Sequence, residues 1–117
     1  MSLPLTPDLA RCAYDLLCET PPFNRWNLPD GHDVAFHIVR SRQHYGRHWL
    51  DGKHHMELSA GLIGTLDVLL STVGHEMIHI HEARSGTAKA GVDHGAAFRK
   101  WAAQVCKSHL WDLKNFI

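Results

Sequence analysis

The sequence predicts one α+β domain over residues 1–117, and three observations carry that prediction. Hydrophobic spacing is helical near the start, changes to alternation at Val34, and returns to helical from Thr65. Turn-forming residues fall between these periodic stretches. At 117 residues, 44% hydrophobic and 21% charged, the chain has the size and composition of a single globular core, with no repeats or low-complexity runs.

Each element follows from local chemistry. Thr6 and Pro7 mark a helix start, N-cap then first helical residue, and Leu9, Ala13, Leu16 and Leu17 recur at helical spacing until Thr20-Pro21-Pro22 ends the run. Prolines and Gly31 make residues 21–33 a loop. Val34, Phe36 and Ile38 then alternate with Ala35, His37 and Val39, the period of a strand. Residues 45–50 and 54–59 form two further short strands joined at Asp51-Gly52, a pair suited to a turn with positive φ at both positions. The simplest arrangement is a three-stranded antiparallel sheet. Residues 65–84 make the longest helix, capped by Thr65 and followed by Gly86. Residues 85–93, rich in Gly and Ala, read as a loop, and residues 94–109 as a last helix with Phe98, Trp101, Ala102 and Val105 on one stripe.

Charge excludes some functions. The net charge of +0 gives no bulk attraction to nucleic acid or to an acidic partner. No apolar run approaches the roughly 18–20 residues of a membrane span, so no membrane partner is expected. The first residues lack the basic start and apolar stretch of a secretion signal. Cys12, Cys18 and Cys106 are scattered without a CxxC pair, the pattern of reduced thiols, and a cytoplasmic (intracellular) location is expected. Oligomeric state is unspecified. The outlying number is 11 histidines, the commonest metal ligand.

Two of them stand in His75-Glu76-Met77-Ile78-His79. At about 100° per residue, Leu66, Leu70, Val73, Met77 and Ile80 share one face of the long helix, and His75 and His79 project together from the opposite one. Two imidazoles one turn apart converge on one zinc ion, and Glu76 on their flank is placed to take a proton from water as general base. A catalytic zinc needs three protein ligands. His94 is the choice for the third, because it follows a Gly-containing loop and opens a helix that Phe98 and Trp101 would anchor. Glu82, about 10 Å along the axis from His75, suits a hydrogen bond to a ligand or a solvent position. His81 points away from both ligands and reads as a partly buried histidine, and Asp93 as a helix cap.

These residues resemble the SprT-like metallopeptidase family, which includes the Spartan-type proteases. The resemblance rests on the strand His54–Ser59 ending in Leu-Ser, on Leu62, on the run from Leu69 through HEMIH, and on His94-Gly95-Ala96-Ala97-Phe98. It extends more loosely to the sheet and first helix. Ile80 stands where relatives often carry Ala. The resemblance implies a zincin-like α+β domain, one zinc on His75, His79 and His94, Glu76 as catalytic base, and endopeptidase activity on protein or peptide substrates. In some members those substrates are proteins crosslinked to DNA.

A nucleic-acid partner has one local support. Arg40, Arg42, Arg47 and Lys53 interleave with Tyr45 and Trp49, a pattern able to follow phosphates and stack bases. The simpler expectation is a solvated sheet face with Trp49 in the core. Two functions therefore compete: a zinc-dependent endopeptidase, and a non-catalytic zinc-containing module that binds nucleic acid or protein. Glu76 favours the first, since a structural zinc has no use for it. Tyr45, His44 and His48 are open choices for stabilising a developing oxyanion.

Overall fold

Thr6 caps the first helix as its sequence predicts, its Oγ1 accepting the Leu9 amide at 3.1 Å. In this computed structural model, which describes residues 3–88 and 93–116, that helix is α1 (Pro7–Cys18), and it buries Ala10, Ala13, Tyr14 and Leu17. The proline-rich stretch after it contains two short 3₁₀ turns, Phe23–Arg25 and Gly31–Asp33, and Phe23 enters the core. Three strands follow, β1 (Val34–Val39), β2 (Gly46–Leu50) and β3 (His54–Ser59). Helices α2 (Leu66–Ser85), α3 (Ala96–His109) and α4 (Leu113–Phe116) complete the α+β architecture. The short α4 was not expected. Part of the expected 85–93 loop, residues 89–92, lies outside the described residues.

The sheet corrects the antiparallel expectation. Its order is β1-β3-β2, with β3 antiparallel to β2 but parallel to β1. The cause is the connection between β1 and β2. Ser59 Oγ donates to the Ser41 carbonyl, Arg42 donates to the Gly61 carbonyl, and the Ser59 amide donates to the Tyr45 carbonyl at 2.9 Å. These bonds carry the connection across the end of β3, so β2 is laid down one strand-width out and the hairpin returns β3 into the gap. Alternation of side chains gives no information about this choice, because both arrangements bury the same face. That face presents Val34, Phe36, Met56 and Leu58 to the core. The hairpin turn also differs: Leu50 pairs with His54 across residues 51–53, and only Gly52 has positive φ (66°).

Helix α2 occupies the centre of the molecule, against α1, α3, β2 and β3. The single stripe expected for it is therefore incomplete. Leu69 and Ile78, off the stripe, are fully buried, whereas Leu66 on it is 55% exposed. A helix with neighbours on several sides is apolar on several sides. Gly46 sets how closely β2 approaches it, since a Cβ there would meet Thr72 Cγ2 at 2.9 Å and the Glu57 carbonyl at 3.1 Å.

Candidate metal centre

The long helix holds its site residues rigidly because both ends are capped. Thr65 Oγ1 accepts the Val68 amide, and Gly86 closes the other end in the left-handed region (φ 76°), donating its amide to the Glu82 carbonyl. From the middle of α2, His75 and His79 turn half-buried imidazoles into an open cleft of about 1060 Å³. The opposite wall is the connection and free edge strand, from Gln43 to His48, and the rim includes Asn115 and Phe116.

His94 joins them from the other side. It does not lie inside α3 but just before it, with Gly95 in the N-cap position and the His94 backbone in the left-handed region at φ 53°. Histidine reaches that conformation more readily than most residues. The turn swings the imidazole back over α2, and Arg99 Nε donates to the His94 carbonyl at 3.1 Å. One ring nitrogen of each of His75, His79 and His94 then lies within 4.8 Å of the others, and the Nε2 atoms of His75 and His94 are 3.1 Å apart. Among the described residues, these are the only three such groups to converge in this way.

Phe98 is the floor of the cluster. It is fully buried, and its ring centroid lies 4.3 Å from that of His94, 4.7 Å from His79 and 5.0 Å from His75. Phe98, in the first turn of α3, thus puts an apolar ring against all three imidazoles.

The outer nitrogens of His75 and His79 are engaged. His79 Nδ1 is 2.9 Å from Glu82 Oε1, so Glu82 takes the hydrogen-bonding position and not the solvent one. His75 Nδ1 donates to the Phe116 carbonyl at 2.8 Å, a partner that no side-chain pattern could announce. Asp93 is not the cap of α3. Its exposed carboxylate lies 3.7 Å from His79 Nε2 and 3.6 Å from His94 Nε2. His81 points elsewhere, stacked on Trp26 at 4.3 Å.

Burial sets the charge states. Desolvation lowers His75 and His79 from 6.5 to about 4, so both are neutral at pH 7, the form in which an imidazole binds metal. Glu76 is 4% exposed, and burial, aided by the Asp93 charge, raises it to about 8. His48 lines the cleft opposite His79 (ring centroids 6.5 Å), and burial holds it at about 4. Three imidazoles with converging nitrogens, two of them oriented by acceptors behind, form a donor set that fits zinc. The adjacent Glu76 carboxyl, protonated up to about pH 8 in the metal-free chain, would be favoured in its ionised form beside a cation.

Residues 22–115 match the family model described as the SprT-like family. The chain belongs to the SprT-like family. The matched span contains the sheet, α2, α3 and all three converging histidines of this SprT-like chain. No characterised protein matches closely enough to serve as a named relative.

The basic hairpin differs from its simpler expectation. Trp49 is not in the core. It lies half-buried on the outer sheet face, stacked on His55 at 5.0 Å and His37 at 5.5 Å, with the Arg47 guanidinium 5.2 Å from its ring centre. Arg47 is also paired with Glu57 at 3.1 Å. Among the described residues, no helix is long and apolar enough to cross a membrane.

Proposed function

We propose that this SprT-like chain is a zinc-dependent endopeptidase of zincin type, with His75, His79 and His94 as ligands and Glu76 as general base. The observation that carries the proposal is Glu76 itself, a buried carboxylate with a raised pKa flanking three convergent imidazoles in an open cleft. Zinc held there would polarise the scissile carbonyl, acidify the attacking water and favour the ionised form of Glu76. Glu76 accepts the proton that the water loses on attack and returns it to the departing amine. The imidazoles of His75 and His79 stay neutral through the working pH range. The free edge of β2 offers backbone groups to an extended protein substrate, which would lie along the cleft. Three free cysteines support a reducing, intracellular setting.

The test is cleavage of an unfolded protein by the zinc-loaded chain and by Glu76→Gln. The proposal expects one zinc in each, and a rate in the variant reduced by about 10²–10⁴. Equal rates would remove Glu76 from the mechanism.

A second reading, a zinc-containing module that binds nucleic acid, is supported by the outer platform of Trp49, His55 and His37 beside Arg47. It predicts salt-dependent binding to single-stranded DNA that Trp49→Ala weakens. An endopeptidase acting on DNA-associated proteins would use the same platform to hold DNA.

A further inference from the structure

We propose that the C-terminal segment, residues 111–116, is a positioning element of the metal centre, its Phe116 carbonyl fixing His75 in the tautomer that offers Nε2 to the ion. The inference rests on the zinc reading above. A carbonyl oxygen only accepts, so the contact at 2.8 Å requires the hydrogen to sit on His75 Nδ1. The lone pair of a neutral ring is then on Nε2, the nitrogen that approaches His94.

The segment is built to deliver that carbonyl. Leu110 leaves α3 through the left-handed region (φ 58°), and the Trp111 amide returns to the Cys106 carbonyl at 2.9 Å. Trp111 then covers Gly74, the residue before His75, where a Cβ would stand 3.2 Å from Trp111 Cζ3. Asp112 closes the turn of α4: its Oδ1 accepts the Lys114 amide, its Oδ2 the Asn115 side chain and its carbonyl the Phe116 amide. The buried Phe116 ring rests 5.5 Å from His75 and 5.8 Å from Trp111. The last carbonyls of a helix lack partners within it, which leaves that of Phe116 for the imidazole. His79 takes its partner Glu82 from its own helix, whereas His75 takes it from the far end of the chain.

Metal binding at Nε2 makes the Nδ1 hydrogen more acidic and strengthens its bond to Phe116, so zinc affinity and docking of this segment are coupled. The coupling is reciprocal: docking strengthens zinc by the factor by which zinc stabilises docking.

Zinc affinity, measured against a competing chelator, tests this in three chains: the intact one, one ending at Phe116 and one ending at Asn115. The chain ending at Asn115 loses the acceptor, and its affinity should fall about 10- to 100-fold. In the chain ending at Phe116 the carbonyl becomes a terminal carboxylate, a stronger acceptor, and zinc should bind as tightly as in the intact chain or more tightly. A segment that only packs would lower the melting temperature of the metal-free chain and leave the zinc Kd unchanged; that result overturns the inference. Should the shortest chain fail to fold, the intact chain decides by NMR. Zinc should slow exchange of the His75 Nδ1 hydrogen and of the Phe116 amide, and no slowing overturns the inference. An intact chain that binds no zinc overturns the metal centre itself and this inference with it.

Discussion

Glu76 sits one residue beyond His75 with 4% of its surface exposed, and its environment sets a pH dependence that can be measured without any substrate. In the unfolded chain it ionises near its ordinary 4.5, whereas in the folded metal-free chain it stays protonated to about 8. Between those values the folded state binds more protons, so Glu76 makes stability fall as pH rises, with no further loss above about 8. His75 and His79 act oppositely: lowered from 6.5 to about 4, they make stability rise with pH across that interval. Glu76→Gln removes the first effect and keeps the second. Chemical denaturation of the metal-free proteins should find the variant more stable at pH 8, by on the order of 3 kcal/mol, and equal to wild type near pH 4. Parallel curves would show that Glu76 is not desolvated. Glu82 belongs to the same scale. With its carboxylate 2.9 Å from His79 Nδ1, Glu82→Ala should weaken zinc binding about 10- to 100-fold, read by chelator competition.

At the scale of elements, much was legible because the signals are local. The Thr6 and Thr65 caps, the Gly86 stop and the alternation from Val34 each act within a few residues, and each lies where the spacing places it. His75 and His79 converge for the same reason, since one helical turn separates them. What was not legible depends on partners distant in sequence. The parallel pairing of β1 with β3 is decided by hydrogen bonds of Ser41, Arg42 and Tyr45, not by hydrophobic pattern. The Phe116 carbonyl carries no side-chain signature at all. Trp49 was expected in the core beneath a solvated sheet face, yet its place in the pleat opposite His55 puts it outside. Gly46 gives the element scale its test. Gly46→Ala forces a Cβ against Thr72 and a backbone carbonyl, so β2 must move away from α2. A loss of about 1–3 kcal/mol is expected in denaturant unfolding, together with a weakened grip on substrate along the cleft. An unchanged midpoint would mean that β2 has slack against the helix.

For the whole molecule, the fold brings chemistry from separate parts of the chain to one cleft. Helix α2 supplies His75, Glu76 and His79; the turn before α3 supplies His94 over Phe98; β2 supplies the opposite wall; α4 closes the rim. Burial keeps the imidazoles of His75 and His79 neutral, and burial raises the pKa of Glu76. None of the four parts makes the site alone. The convergence depends most on His94, which alone comes from outside α2 and whose side chain is held by a left-handed backbone turn. Zinc titration of the intact chain beside His94→Ala is therefore the most direct measurement. The account predicts one zinc per intact chain, and a sharp loss of affinity in the variant with its helical content unchanged. Equal zinc content and affinity in the two proteins would contradict it.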